Sequence, residues 1–250
     1  MTVTPALPDR PYSQNPLSTE ALPFRVRLAE GPGDLARALH LRGEAYGRHV
    51  PALAQRLQHA ESDDLRPDAL LLIAESHETR QLLGSVRLIH NLHGRLKVED
   101  EAPLPARFLG KRLVEARRLT ARPGIEGRMV TPALIKAAYE ICFHSRIDEA
   151  LITARAPVDK MYRMMQFDDV LGGARLSLPD VGSLPHGLFS LGIREAEGRW
   201  IRARCPLYGF MALTHHPDIR IDYDIVHHRF SGLSRADLTA SDRLRSTVAA

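Results

Sequence analysis

Four consecutive segments at the centre of the chain read RLVEARRLTA (112–121), RPGIEGRMV (122–130), TPALIKAAYEICFH (131–144) and, after five further residues, ALITA (150–154). The first and the last predict strands, and the second predicts a loop with two glycines. The third predicts a helix with Thr131 as its N-cap and Pro132 in its first position, ending near His144. Strand, helix and strand in this order are typical of a βαβ unit with two neighbouring parallel strands.

The segments before this unit predict antiparallel strands and two helices. Residues 24–28 alternate apolar residues with arginine, as a half-buried strand does. Two helices follow, the first of which begins at Asp34. The apolar run 69–74 predicts a buried strand, and a second strand at 82–90 would pair with it as an antiparallel hairpin. A short strand is expected at 96–98.

The segments after the unit are less regular. A helix is predicted around residues 158–165, and strand-like runs lie at 174–178 and 200–213. The pattern as a whole predicts an α+β protein, with meander strands first and a βαβ element after them.

A chain of 250 residues can bury one sizeable core without a disulfide or a metal. No Gly/Ser-rich or charged linker interrupts its middle, so we expect one domain over residues 23–230. Within that domain we distinguish a motif-bearing core (24–167) from a C-terminal extension (168–230). A flexible N-terminal arm (1–22) would precede the domain, and a polar tail (231–250) would follow it.

The charge balance is mildly basic, with a net charge of +4 and a pI of about 9.3. Only four of the 34 basic residues are lysine, and the arginines are spread along the chain with no aromatic platform between them. Nucleic-acid binding is not expected, because it requires basic residues concentrated in a stripe. A basic face would suit an acidic protein partner or a phosphate-bearing cofactor.

Cysteine and hydropathy patterns bear on the location of the protein. Cys142 and Cys205 lie in apolar runs and form no C-x-x-C pair, so free and buried thiols are expected, as in a reducing cytoplasm. The segment before Phe24 lacks the apolar stretch of a signal peptide, and no segment approaches the ~18 apolar residues of a membrane span. We therefore expect a cytoplasmic protein. The adjacent pairs His215-His216 and His227-His228 lack metal-ligand spacing, and no metal is expected.

Charged residues occupy positions that the strand and helix patterns would bury. They are Arg42 in an apolar helix stripe, Arg87 in a strand, and Glu115, Arg117 and Arg118 in the predicted central strand. Such charges cost several kcal/mol each unless they are paired or face a cavity. An ion-pair ladder on an exposed face is one interpretation. The helix start that follows the strand favours the other, a functional cleft able to bind an anion.

Four segments carry a resemblance to a known family. LRGEAY (41–46) resembles the L-R-x-x-V-[FY] helix of acyl-homoserine-lactone synthases and of FeeM-type N-acyl amino acid synthases. Glu61 and Asp64 resemble the acidic residues that precede the next strand in those families. GSVRL (84–88) resembles their G-x-x-R-L strand, and EARRL (115–119) resembles E-x-S-R-[FL]. Order and spacing agree over the core.

The resemblance implies a GNAT-like acyl-CoA N-acyltransferase fold, a three-layer arrangement with a mixed twisted sheet between helices. It also implies transfer of a long-chain acyl group from a thioester to the amine of an amino acid or a similar small amine. The amine must lose a proton before it attacks, and Glu115 is the expected general base. KMYRMMQF (160–167) resembles the A-L-Y-x-x-x-G-F signature of GNAT domains, which places Tyr162 to protonate the leaving thiolate.

The expected substrate-binding residues are Arg42, Glu61, Asp64, Arg87 and Arg118. Arg42 and Arg118 would either hold a substrate carboxylate or pair with Glu61 and Asp64 to shape the pocket. Replacing Arg42 with alanine is expected to raise KM for an amino-acid acceptor.

The sequence departs from the family pattern at several positions. Arg117 stands where the serine would be, Gln166 replaces a glycine, and Arg155 stands where an asparagine is usual. Strand alternation also places Glu115 and Arg118 on opposite faces unless a bulge intervenes. The family fold splays its strands at this point to admit the thioester, so a bulge or a splay is expected here.

The donor site is expected along the loop and the helix start. The residues expected to contact the donor are Leu119, Ala121, Gly124, Gly127, Arg128 and Thr131. The loop does not spell R-x-x-G-x-[GA], which favours the phosphopantetheine of an acyl carrier protein over acyl-CoA as donor, with no permanently bound cofactor. Two alternatives stay open: a homoserine-lactone synthase that uses S-adenosylmethionine, and a non-catalytic acyl- or nucleotide-binding module.

Overall fold

A computed structural model of the chain describes residues 17–48 and 50–231. The expected tail beyond residue 231 and the first sixteen residues of the expected arm lie outside the described residues. The strands are β1 (Ser18–Thr19), β2 (Phe24–Leu28), β3 (Ala69–Ser76), β4 (Leu82–His90), β5 (Leu113–Ala121), β6 (Glu149–Ala154), β7 (Asp168–Asp169), β8 (Leu176–Leu178), β9 (Leu184–Gly192), β10 (Thr214–His215) and β11 (Ile219–Arg220). The helices are α1 (Gly31–Gly47), α2 (Pro51–Leu57), α3 (Lys97–Glu101), α4 (Ile125–His144), α5 (Asp159–Met164), α6 (Ala196–Arg202) and α7 (Tyr223–Ser231).

The main sheet is mixed, in the order β11-β2-β3-β4-β5-β6-β9-β7, with β8 paired to β9. Strands β2 to β5 form an antiparallel meander, as the sequence predicts. Strands β5 and β6 are parallel and are joined by α4, which confirms the βαβ unit. Strand β9 then pairs antiparallel to β6.

Helices cover both faces of the sheet, because alternate residues of each strand point to opposite sides. On one face α4 packs its buried residues against Leu72 of β3 and Val114 of β5. On the other face α1 packs Leu41 against Ile73 of β3. The result is the expected three-layer α+β arrangement, with most of the apolar core between α4 and the sheet.

The structure corrects the predicted start of the central helix. The sequence indicates Thr131, but α4 begins at Ile125 and carries Pro132 in its interior. Gly124 has a φ of 117°, a conformation that favours glycine, and this residue turns the chain into the helix. Residues 125–130, predicted as loop, therefore form the first turns of α4.

Two further predictions were wrong. The strand expected at 96–98 is instead the start of α3, where the Glu99 carboxylate accepts a hydrogen bond from the backbone N–H of Leu96 at 2.7 Å. The strand-like run 200–213 holds the end of α6 and a π-helical turn, Gly209–Leu213. Ala196 and Trp200 of α6, four residues apart, are both fully buried, which is a helical spacing.

Candidate active site

The sheet opens between β5 and β6. Their parallel pairing begins at Leu113 and Glu149 and ends at Ala116 and Ile152, although β5 continues to Ala121. Beyond Ala116 the edge of β5 that faces β6 has no partner strand. A cleft of about 570 Å³ lies in this gap, lined on one side by residues 116–121 and on the other by residues 152–155. The strands therefore splay where the resemblance implies a splay.

A bulge accompanies the splay. The pairing of β5 with β4 shifts by one residue between Ser85 and Arg87, opposite Arg118. Arg118 has a φ of 58°, the left-handed conformation that a bulge requires. Arg117 and Arg118, although adjacent, both donate to Oδ2 of Asp180 at 2.9 Å. The bulge thus brings both guanidinium groups to the face that also carries Glu115, and removes the conflict of strand alternation.

Buried ion pairs connect β4 and β5 to the short 3-10 helix Ser62–Leu65. Arg42 is fully buried and donates from Nη1 to Asp64 at 2.8 Å. Arg87 reaches Asp64 at 2.9 Å and also contacts Glu61 and Asp63. Arg118 donates from Nε to Glu61 at 2.8 Å. All five predicted substrate-binding residues therefore meet in one cluster, and within it Arg42 and Arg118 pair with Asp64 and Glu61.

These pairs hold the carboxylates in their charged form. Burial alone would raise the pKa of Glu61, but hydrogen bonds and charge from Arg118 and Arg87 outweigh burial and lower it to about 2. Burial of Asp64 is likewise outweighed by Arg42 and Arg87, and its pKa is lowered. Both carboxylates are ionised at neutral pH, so the cluster is an array of fixed charges.

Arg117 extends the cluster toward the C-terminal half of the chain. Its guanidinium bonds to Glu101 of α3 at 3.0 Å, to Glu115 at 3.1 Å and to Asp180 at 2.9 Å. Arg117, which stands where the family has serine, therefore links β5 to α3 and to the turn after β8 through ion pairs. Glu101 and Asp180 were missed by sequence reasoning, because nothing local marks them as its partners.

Glu115, the predicted general base, is separated from the cleft by Arg117, which lines the cleft and pairs with it. It is fully buried, accepts a hydrogen bond from the backbone of Val98 at 3.2 Å, and does not line the cleft. Burial raises its pKa, and the charge of Arg117 offsets this only in part. Its role as base stays a prediction.

Tyr162, the predicted proton donor, lines the cleft from α5. Only 2% of the residue is exposed, and none of the described residues hydrogen-bonds to its hydroxyl. Burial raises its pKa above the ordinary range, so the hydroxyl stays protonated at neutral pH. Tyr162 thus offers one O–H donor to a molecule in the cleft.

The predicted donor-site residues divide into two groups. Leu119, Ala121 and Thr131 line the cleft. Gly124 precedes α4 and Arg128 lies in the first turn of that helix, and neither lines the cleft. Gly127 lies in the same turn. The cleft is also lined by residues that sequence reasoning did not assign to a site, among them Tyr46, Arg48, Arg155 and His186.

An apolar cavity adjoins the cleft on the α4 side of the sheet. Both spaces share the walls formed by Ala116, Leu119, Ile152 and Tyr162. The cavity then continues between α4 and the sheet, past Ala138 and Met165. A cleft with both polar and apolar walls that adjoins an apolar cavity fits a molecule with a polar head and an apolar tail.

Comparison with known proteins assigns the family. The model of the N-acyl amino acid synthase FeeM matches residues 37–184, which is more than half of the chain and contains all four resembling segments. The chain belongs to the FeeM family of N-acyl amino acid synthases. This FeeM-family protein is an acyltransferase. No curated protein matches it.

Solved structures share the fold at low sequence identity. The FeeM N-acyl amino acid synthase from uncultured soil microbes is 17% identical, with a TM-score of 0.54, over 72% of this chain and 97% of that one. The CoA-dependent acyl-homoserine lactone synthase BjaI, solved with SAM and isopentyl-CoA, is 16% identical, with a TM-score of 0.53, over 82% and 98%. The lactone synthase LasI is 15% identical, with a TM-score of 0.51, over 69% and 93%. The GNAT-like fold is thereby confirmed. Among the described residues, no helix is long and apolar enough to cross a membrane.

Proposed function

We propose that this FeeM-family protein is an N-acyl amino acid synthase. It transfers a long-chain acyl group from the thioester of an acyl carrier protein to the amine of an amino acid. The observation that carries the proposal is the splay between β5 and β6, where the polar cleft meets the apolar cavity. An acyl thioester that lies through the gap would hold its carbonyl at the splay and direct its chain into the cavity. The cavity measures about 50 Å³, so its walls would move apart to admit a long chain.

The donor side of the cleft supports a carrier protein as partner. Arg128 lies one turn before Thr131 on α4, and Lys160 follows Val158 on α5. Both cations are exposed, as are 40% of Met129 and 45% of Val158. Arg128 and Lys160 do not line the cleft but lie near Thr131 and Val158, which do. Exposed basic and apolar residues beside the cleft fit an acidic protein that delivers a tethered thioester. The reducing cytoplasm is the proposed location, in keeping with the two free, buried cysteines.

The acceptor side supports a small molecule with a cationic amine. Six carboxylates contact four guanidinium groups in the buried cluster, so negative charge is in excess when all are ionised. The cluster consists of Glu61, Asp63, Asp64, Glu101, Glu115 and Asp180 with Arg42, Arg87, Arg117 and Arg118. None of the six carboxylates lines the cleft, where Arg117 and Arg118 stand in front of them. Their excess charge would therefore stabilise the ammonium group of an amino acid from behind these two guanidinium groups.

The reaction is an attack of the amine on the thioester carbonyl carbon. The carbonyl oxygen gains negative charge in the tetrahedral intermediate, and backbone N–H groups along the unpaired edge of β5 would stabilise it. The C–S bond then breaks, and the Tyr162 hydroxyl would protonate the departing sulfur.

The proposal is tested by incubating the purified chain with an amino-acid panel and one long acyl chain, presented either on an acyl carrier protein or on CoA. Mass spectrometry should detect an N-acyl amino acid, formed faster from the carrier protein. Absence of any amide from both donors would overturn the proposed function. Faster reaction from CoA would overturn the choice of donor. A lactone formed with S-adenosylmethionine would place the chain among the lactone synthases.

Arg155 is expected to bind the acceptor carboxylate. It lines the cleft, and none of the described carboxylates forms an ion pair with it. Replacement by alanine should raise KM for the amino acid about 10- to 100-fold, the loss of a charge-assisted hydrogen bond, with kcat nearly unchanged. The control is Arg163→Ala, since Arg163 pairs with Asp169 and does not line the cleft. An acceptor amine without a carboxylate should not distinguish wild type from the Arg155 variant. Equal sensitivity of both acceptors would place the carboxylate elsewhere.

The apolar cavity is expected to set the acyl length. Ala138 of α4 lines the cavity but not the cleft. Ala138→Leu would fill part of the cavity and should lower kcat/KM for a long acyl donor about tenfold or more, at roughly 1–3 kcal/mol for the lost apolar contact. Activity with a two- to four-carbon donor should be retained, which is measured on the same protein preparation. An unchanged ratio of long to short donors would mean that the acyl chain does not enter this cavity.

A further inference from the structure

His186 lies at the acceptor side of the cleft, on the first part of β9. His186 lines the cleft, and only 8% of the residue is exposed. Strand β6 pairs with β9 as far as Ala154 and Gly187, so His186 lies just beyond the splayed end of β6. Alternation along β9 places it on the face opposite Phe189, which packs with Tyr162. His186 and Tyr162 therefore approach the gap from opposite faces of the sheet.

A hydrogen bond fixes the tautomer of the His186 ring. Nδ1 lies 2.7 Å from the backbone carbonyl oxygen of Leu184. A carbonyl oxygen only accepts hydrogen bonds, so Nδ1 carries the proton. In the neutral ring Nε2 then has a free lone pair, and none of the described residues hydrogen-bonds to it. An unprotonated imidazole nitrogen beside a cleft can accept a proton from a molecule bound there.

The surroundings of His186 keep its ring neutral. Burial lowers its pKa below the ordinary value; the bond to Leu184 and the charge of Asp180 raise it, and the charges of Arg155 and Arg117 lower it further. These groups come from the end of β6, from β5 and from the turn after β8, and Arg48 lines the same cleft from the end of α1. The outcome is a base that is free to accept a proton at neutral pH.

We propose that His186 is the general base of the acyl transfer, accepting from the acceptor ammonium at Nε2. The proposal rests on the proposed function and goes beyond it by naming the proton acceptor. Nε2 takes one proton from the ammonium, and the freed lone pair forms the C–N bond. The C–S bond breaks with its electron pair going to sulfur. Sulfur takes its proton from the Tyr162 hydroxyl, and the second proton lost by nitrogen restores that hydroxyl. The first proton leaves His186 for solvent, so both residues return to their starting state.

The test compares the pH dependence of kcat/KM for wild type, His186→Asn and Glu115→Gln. Asn keeps a side-chain N–H near the position of Nδ1 and preserves the bond to Leu184, but it cannot accept the proton. Wild type should be nearly flat above neutral pH and fall below the ordinary histidine range near 6.5. His186→Asn should lose about 10²-fold at pH 7. Its rate should rise about tenfold per pH unit toward the pKa of the free amine, since only unprotonated amine then reacts.

Three outcomes would overturn the proposal. A His186→Asn profile parallel to that of wild type would show that His186 affects structure only. Loss of the acidic limb in Glu115→Gln, with its retention in His186→Asn, would assign the base to Glu115. If His186→Asn does not fold, His186→Gln is measured instead, and a wild-type profile there has the same meaning. Wild type that makes no amide with any donor fails the proposed function itself, and that result is seen before any variant is made.

Discussion

Asp64→Asn is expected to destabilise the protein by about 3–5 kcal/mol, the cost of leaving a buried charge without its partner. Asp64 accepts from Arg42 at 2.8 Å and contacts Arg87 at 2.9 Å, and the side chains of all three are at most 2% exposed. Asparagine keeps the shape of the side chain but removes the negative charge. Two buried guanidinium groups would then face each other with one anion fewer.

The environment of Arg42 makes this loss large. Among the described residues, none hydrogen-bonds to Nε or Nη2 of Arg42 or to Nε of Arg87. Both side chains are at most 2% exposed, so neither guanidinium group reaches solvent in the folded protein. Typical domains are stable by only 5–15 kcal/mol, so a large part of the folding free energy depends on one carboxylate.

The measurement is urea and thermal unfolding, where the midpoint temperature should fall by roughly 10 °C. Asp100→Asn is the matched control, since Asp100 pairs with Arg95 on the surface and both side chains are more than half exposed. Such pairs contribute little, and this variant should unfold as wild type does. An Asp64 variant as stable as wild type would mean that water or movement compensates the charge.

The same substitution has a predictable pH dependence. The folded pKa of Asp64 is lowered, so its contribution is complete above the unfolded value and is lost as pH falls toward the folded one. The gap in stability between wild type and Asp64→Asn should therefore close as the pH is lowered below about 4. A gap that stays constant with pH would argue that packing, not charge, is what asparagine disturbs.

The sequence predicted the charged cluster because burial of charge is a local signal. Arg42 interrupts an apolar helix stripe, and Arg87 interrupts a buried strand. A buried guanidinium group requires an anionic partner in any fold, so each of them predicts a nearby carboxylate. The acidic segment that contains Glu61 and Asp64 was the nearest source of partners, and the structure pairs them so. The strands were predictable for the same reason. Alternation of apolar and polar residues indicates, position by position, which side chains point to the buried face of the sheet.

The partners of Arg117 could not be predicted in this way. Glu101 and Asp180 are 16 and 63 residues from it and come from a short helix and a turn. Their convergence depends on the bulge at Arg118 and on the packing of the extension, which no local pattern records. The place of His186 beside the cleft could not be predicted either. It depends on where the pairing of β6 with β9 ends, which no local pattern indicates.

The predicted start of α4 was wrong for a different reason. Thr131-Pro132 is a strong helix start, but it is a preference of less than a few kcal/mol. Gly124 reaches a conformation that other residues avoid, and the apolar residues 130, 134, 137 and 141 continue one buried face of α4 through the proline. Packing against the sheet thus outweighs the local signal.

Tyr162→Phe is expected to lower kcat about 10²-fold or more, the usual loss of a positioned acid. The variant removes one oxygen from a side chain that is packed between the cleft, the apolar cavity and Phe167. None of the described residues depends on that hydroxyl for a hydrogen bond, so the fold should be unaffected. KM for the amine should also be unchanged, because the proton is needed only when the C–S bond breaks.

The chemistry of the leaving group separates this role from a structural one. An alkyl thiolate, such as that of phosphopantetheine, is basic and leaves more easily when it is protonated. An aryl thiolate is far less basic and can leave without a proton, so an S-aryl thioester should restore most of the activity of Tyr162→Phe. The control is Tyr139→Phe, since Tyr139 is buried and lines the apolar cavity but not the cleft. If Tyr162→Phe were equally impaired with alkyl and aryl donors, its hydroxyl would position the thioester and would not protonate it, and the acid would have to be solvent.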